Sequence, residues 1–205
     1  MEKIDYKKQL KNLYGPSTKK PVIVDVPEMN FLMIDGHGDP NTSIEFKQAV
    51  SSLYPLAYGL KFAVKKRKEI DFGVLPLEGL WWAEEMADFS VDDKSNWDWT
   101  LMIMQPEFVT AELVEEITAE VARKKNPEAL AKIRFETYHE GSSVQLMHIG
   151  PFADEGPNIA RMHAFAEEEG YHLAGKHHEI YLKDFTKTAP ERMKTILRQP
   201  IKKGG

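Results

Sequence analysis

The run His177-His178-Glu179-Ile180-Tyr181-Leu182 sets a carboxylate, a phenol and two imidazoles close together. Those are the groups of acid–base chemistry. Read as a strand, the run alternates. Glu179 shares a face with His177 and Tyr181, while His178, Ile180 and Leu182 point the other way. The second set is the more apolar and is expected to meet the core, which leaves Glu179 and Tyr181 to line a cleft. A carboxylate desolvated there gains basicity. The run itself also permits a plainer reading, a carboxylate on an exposed sheet face.

A second acid, Glu78, lies in Pro76-Leu77-Glu78-Gly79-Leu80-Trp81-Trp82 and shares its face with Leu80 and Trp82. It reads as a second cleft acid, a clamp for a cation, or a solvated charge beside structural tryptophans. The four tryptophans form two groups, Trp81-Trp82 and Trp97/Trp99. Aromatic walls hold flat ligands by stacking and cations by their ring faces; they also fill cores. Trp81, Trp82 and Trp97 are therefore ligand-binding candidates. Tyr54 and Tyr58, four apart beside Pro55, are candidate cleft walls. Tyr138 is a candidate hydroxyl to orient water or donate a proton, and His148 a candidate for the cleft rim.

The chain contains 7 histidines and no cysteine. Thiolate nucleophiles, disulfides and iron–sulfur clusters are thereby excluded. Neighbouring strand residues diverge, so His177 and His178 are not expected to share an ion. Zinc needs three or four converging ligands, and no spacing here forces that. We expect no metal and no cofactor. Gly36-His37-Gly38 lacks the rest of a dinucleotide fingerprint, and no Gly-x-Ser-x-Gly elbow occurs.

These candidates need elements to position them. Phe31–Ile34 reads as a buried strand closed by the turn Gly36–Pro40, with an edge strand at Val22–Val26 before it. A helix is expected from Ser43 to Lys66, with Phe46, Val50, Leu53, Ala57, Leu60 and Val64 on one stripe. Pro55 should kink or divide it. The basic run Lys65–Lys68 suits the helix C-terminus. Asp71–Trp82 reads as a strand with a bulge or edge at Pro76, Ala83–Asn96 as a long acidic connection, and Trp97–Gln105 as a strand. Thr110 caps a helix with Leu113, Val114, Ile117 and Val121 on its core face. A short helix follows near Pro127–Ala131. Ile133–His139 and Ser143–Ile149 read as a hairpin around Glu140-Gly141-Ser142. Pro157 opens a helix that Gly170 closes. His177–Leu182 is a strand, Ala189–Met193 a helical turn, and Lys194–Pro200 the last strand.

The balance of 42% hydrophobic and 29% charged residues over 205 residues is that of a globular chain. The net charge of −5 disfavours nucleic acid as a direct partner. No apolar run approaches the roughly 20 residues of a membrane helix, and the N-terminus lacks a signal-peptide core. A cytoplasmic protein is expected, with no membrane partner and its oligomeric state open.

The element order strand, helix, strand, strand occurs twice. Leu32-Met33 matches Leu146-Met147, Pro76-Leu77-Glu78 matches His177-His178-Glu179, and Thr100–Pro106 matches Lys194–Pro200 through a shared Gln-Pro. The expected fold is α+β: a pseudo-twofold duplication of a strand–helix–strand–strand module, with an antiparallel sheet and a central ligand cleft. The expected division is an N-terminal arm (1–30), repeat one (about 31–106), connecting helices (about 108–131) and repeat two (about 133–202).

Gly141-Ser142-Ser143-Val144-Gln145-Leu146-Met147-His148-Ile149-Gly150-Pro151-Phe152, His177–Leu182 and Lys194–Pro200, with Pro76–Trp82, together resemble the GyrI-like small-molecule-binding proteins. The resemblance covers roughly Asn30 to Lys202 and is nearest the stand-alone branch without a DNA-binding domain. It implies a two-module fold with the ligand cleft on the pseudo-symmetry axis. It also implies aromatic or cationic ligands and a buried glutamate, which falls on Glu179 by motif. Some stand-alone members hydrolyse the cyclopropane of cyclopropanoid DNA alkylators and so detoxify them. The resemblance thus implies a hydrolase with a water activated by Glu179, assisted by Tyr181 or Tyr138. The alternative is a drug sequestrant or sensor that does no chemistry. A gyrase contact, which the family name suggests, is marked by no residue here.

Overall fold

A computed structural model describes residues 1–83 and 94–204. Its elements are β1 (Glu2–Ile4), α1 (Tyr6–Gln9), α2 (Lys11–Tyr14), β2 (Val22–His37), α3 (Ile44–Lys68), β3 (Ile70–Phe72), β4 (Leu77–Trp82) and β5 (Asp98–Gln105). Then come α4 (Ala111–Lys124), β6 (Arg134–Ile149), α5 (Gly156–Glu168), β7 (Tyr171–Leu173), β8 (His177–Tyr181) and β9 (Lys194–Lys203). Short 3-10 turns precede β6 and β9 where the sequence suggests helical turns. Of the acidic connection expected at Ala83–Asn96, residues 84–93 lie outside the described residues.

The fold is mixed α+β. Strands β6, β2, β5, β4, β8 and β9 pair antiparallel in that order, and β9 returns to β6. The sheet is therefore a closed barrel rather than an open sheet, and β7 extends it beside β9. Two expectations fail for one reason. The pieces expected at Val22–Val26 and Phe31–Ile34 are a single strand, β2, and the expected hairpin at Glu140–Ser142 is the middle of β6. Gly141 does take a positive φ of 74°, but to bend a strand rather than reverse it. The pairing with β2 keeps its register across the bend, Val26 with Gly141 and Glu28 with His139. Strands that turn the corner of a small barrel need such residues.

Helix α3 starts where Ser43 accepts the Phe46 N–H (3.1 Å) and runs unbroken through Pro55. Its stripe of Leu53, Leu56, Ala57 and Leu60 is fully buried against Leu32, Ile34, Leu101 and Ile103 on the barrel's outer wall. Burial of four such side chains at about 1.5–3 kcal/mol for each large one outweighs one lost hydrogen bond. α4 packs on α3 through Ile117 and Val121. α5 covers the other half with Met162 and Ala166 over Val144, Leu146 and Leu197. Inside the barrel lie Phe31, Met33, Leu80, Met102, Met104, Met147, Ile180 and Ile196.

The N-terminal residues, expected as an arm, pack into the domain. β1 pairs with β3, and Leu13 and Tyr14 are buried in the interior cluster. Their carbonyls and hydroxyl answer polar groups that the barrel alone would leave unpaired, as described next.

Candidate functional site

The β4–β8 register sorts the candidates. Gly79 pairs with Glu179, Glu78 with Ile180, Leu77 with Tyr181, and Trp81 with His177. Paired residues share a face, so Glu179, Tyr181, His177 and Trp81 lie together on the outer face. Glu78 and Trp82 lie on the interior face with His178. Glu78 and Glu179 are thus back to back across the sheet, and the expectation that they share a cleft is corrected.

On the outer face the Glu179 side chain is 13% exposed, so the reading as a solvated surface charge does not hold. Tyr181 Oη donates to Glu179 Oε2 (2.8 Å), and Trp81 Nε1–H donates to Tyr181 Oη (3.1 Å). His177 Nε2 stands 3.5 Å from Glu179 Oε1. Burial opposes the Glu179 charge, but the hydrogen bond and charge of His177 and the Tyr181 hydroxyl outweigh it. Its carboxyl is held below the usual range, so the gain in basicity expected from desolvation is not realised. Burial and then the Glu179 charge push the Tyr181 phenol well above its ordinary value, so it remains a donor.

An aromatic frame surrounds this carboxylate. Phe152 and Phe185 meet Tyr181 edge-on with ring centroids at 5.7 and 5.9 Å, and each other at 6.3 Å. Trp97 packs on Trp81 at 5.5 Å, and Phe46 on the other side at 6.1 Å. Lys94 Nζ lies 4.8 Å over Trp97, and its charge acts on Glu179. Tyr54 is partly buried at the edge of this cluster, within reach of the Asp184 charge. Tyr58 is 47% exposed on α3, with ring centroids 6.4 Å from Tyr54 and from Phe62. His148 holds the turn before α5: its ring nitrogens meet Pro151 O (3.0 Å) and Asn158 Nδ2 (2.9 Å).

Gly79, opposite Glu179, is needed for the close approach of the indole. A Cβ there would stand 2.7 Å from Trp81 Nε1. Gly79→Ala should displace the ring that donates to Tyr181. The expected result is a shifted Trp emission and a loss of about 1–3 kcal/mol in denaturant unfolding.

One buried acid was not signalled. Glu155, 4% exposed, stands at the N-cap of α5 in Phe152-Ala153-Asp154-Glu155-Gly156-Pro157. Its carboxyl faces Glu179 and Thr195, and burial and then the Glu179 charge push it up to about 10. In sequence it looks like any acid before a helix; only the packing of that turn over β8 and β9 buries it.

The interior face holds a second, closed network. Tyr14 Oη donates to Glu78 Oε1 (2.8 Å). His178 bridges Glu78 Oε2 (3.0 Å) and Glu140 Oε1 (2.9 Å). Arg198 donates to Glu140 Oε2 (3.1 Å), Gln145 Oε1 (3.0 Å) and Leu13 O (3.0 Å). Gln145 donates to Asn12 O (2.6 Å). Burial opposes the charge on His178, but Glu140 and Glu78 raise it to about 9. Burial likewise opposes the charge on Glu140, while His178 and Arg198 hold its carboxyl at about 2. His178 and Arg198 thus bind the two carboxyls Glu78 and Glu140 together. Tyr138 lies on this face, 6.4 Å from Phe31 and pushed up to about 12 by burial and Glu140. The structure therefore brings Glu179, Tyr181, Trp81 and Trp97 together, with Tyr54 nearby, and sets Glu78, Trp82 and Tyr138 on the opposite face.

Among the described residues no three His, Asp or Glu side chains are placed to hold a metal ion, and no helix is long and apolar enough to cross a membrane. Residues 19–202 match the family model described as the GyrI-like small molecule binding domain. The structure is similar to that of a conserved, uncharacterized protein from Listeria innocua, at 44% identity and TM-score 0.89, over 97% of this chain and 100% of the other. It is similar also to two structures described as hydrolases from Listeria innocua. One is 45% identical with TM-score 0.87, over 98% of this chain and all of the other. The second is 43% identical with TM-score 0.83, over 97% of this chain and all of the other. No curated protein sequence matches the chain.

Proposed function

The chain belongs to the GyrI-like small-molecule-binding domain family, and from that premise we propose a detoxifying hydrolase. It binds bulky aromatic or cationic compounds over Glu179 and adds water to the cyclopropane of cyclopropanoid genotoxins. The observation that carries this reading is a buried carboxylate, hydrogen-bonded by Tyr181 and faced by His177, inside a frame of Phe152, Phe185, Trp81 and Trp97. The similarity to two structures described as hydrolases, at 43–45% identity, supports the reaction class.

In the proposed step Glu179 takes a proton from water as its oxygen bonds to a ring carbon. The strained C–C bond opens, and its electron pair moves into the conjugated acceptor, which is protonated. Strain supplies much of the driving force, so positioning a nucleophile is the enzyme's main task. Neither a metal nor a covalent intermediate is required. The pseudo-twofold reading, with halves at about 31–106 and 133–202, belongs to this proposal: the groove would lie at the β4–β8 seam between α3 and α5. So does a cytoplasmic location, where such compounds would be met before DNA.

The test is a mass-resolved assay with a cyclopropanoid DNA alkylator. Gain of one water by the ligand, dependent on the protein, is the expected result. Saturable Trp quenching without a hydrated product would leave a binder or sensor, for which an acid among aromatic rings suits a lipophilic cation equally well.

A further inference from the structure

Glu155 is a buried acid for which the water-activating step above has no use. It stands at the end of a turn fixed on both sides by His148, through Pro151 O and Asn158. Its Oε1 is buried without a hydrogen-bond partner, as is the neighbouring Thr195 Oγ1. Thr195, beside the Glu155 carboxyl, pairs with Tyr181 across the β8–β9 ladder, so both acids meet over the same face of β8 and β9. Around it lie Glu179, His177 and Tyr181 from β8, Thr195 from β9, and Lys94, whose charge acts on both acids. His163 of α5 faces His177, and burial lowers its basicity, so it contributes little positive charge. Two carboxylates cannot both keep their charge in so dry a place. Tyr181 and His177 both serve Glu179, whereas Glu155 has only the Thr195 hydroxyl beside it, so the proton belongs on Glu155.

We propose that Glu155 and Glu179 form a one-proton carboxyl pair, in which Glu155 is the positioning residue that keeps the proton and Glu179 carries the charge. The inference rests on the reading of Glu179 as the working base, but the pair can be tested without turnover. A neutral Glu155 donates toward Glu179 and fixes which of its lone pairs is free for water. Ionised, it would repel that charge and raise the basicity of Glu179 at the expense of its order. The proton balance is simple: Glu179 gains one proton from water in the step and returns it to product or solvent, while Glu155 keeps its own throughout.

The experiment is carbon NMR of protein labelled at the glutamate carboxyl, titrated from neutral to alkaline pH. Wild type should show one glutamate carboxyl still protonated at neutral pH. Glu155→Gln should lose that resonance. Glu179→Gln should move it to ionise at lower pH, because the opposing charge has gone. Absence of a protonated carboxyl in wild type, or its persistence in Glu155→Gln, would overturn the pair. If the protein turns over substrate, wild-type rate should fall as pH rises toward about 10. Glu155→Gln, whose amide N–H imitates the neutral acid, should escape that fall. An identical alkaline limb in both would also overturn the proposal. No turnover in either, with the resonances as expected, would instead count against the hydrolase reading and leave the pair standing.

Discussion

Arg198→Met should destabilise the protein by about 3–5 kcal/mol, because it strips one partner from a fully buried ion network. Arg198 is 1% exposed and serves Glu140, Gln145 and Leu13 O together. Without it Glu140 keeps only His178, and the Leu13 carbonyl of the N-terminal segment loses its donor. Denaturant unfolding of the variant measures the loss. Adding Glu140→Gln to Arg198→Met should recover part of it, since the stranded charge then disappears; a double variant no better than the single would show that charge pairing is not the cause.

The same network fixes the pH dependence of stability. His178 is raised in the folded state, to about 9. Its contribution is therefore complete below the ordinary histidine range, roughly 6.5, and is lost as pH rises through about 9. Glu140 is lowered, to about 2. Its contribution is present above the ordinary carboxyl range and lost as pH falls toward about 2. Glu155 acts in the alkaline direction too: the folded state holds a proton that the unfolded chain releases, so stability declines as pH rises toward about 10. Unfolding midpoints of wild type and Glu155→Gln across this range should diverge steadily, with the variant declining less.

Much of this arrangement was legible from strand alternation. His177, Glu179 and Tyr181 fall on one face, and His178 and Ile180 on the other, by a period that local sequence fixes. What alternation cannot tell is what covers each face. The apolar company of His178 marked the barrel interior correctly, yet that face also carries its own buried ions, and the face of Glu179 is buried too. Alternation grouped Glu78 correctly with Leu80 and Trp82 but could not tell that this face turns into the barrel and away from Glu179. Gly141 announced a positive φ but not whether the chain would bend or turn back. Barrel closure depends on β6 meeting β9, and the N-terminal segment's burial depends on that closed interior. Neither is written in any local window. Glu155 is the instructive omission, since its own neighbours look like an ordinary helix start, and only a turn anchored by His148 brings it over Glu179.

Glu179→Gln should abolish most turnover, by about 10²–10⁴-fold, while leaving the ligand bound. The substitution keeps shape and the carbonyl oxygen that accepts from Tyr181 at 2.8 Å. It removes the lone pair that takes a proton from water and the charge that His177 faces. The aromatic frame does not depend on that charge, so quenching of Trp81 and Trp97 by an uncharged cyclopropanoid should persist with little change in affinity. A cationic ligand should bind more weakly, and that contrast separates the two uses of the carboxylate. Equal loss of binding and turnover for the uncharged ligand would mean that Glu179 holds the pocket together rather than activating water. Unchanged turnover would move the base elsewhere.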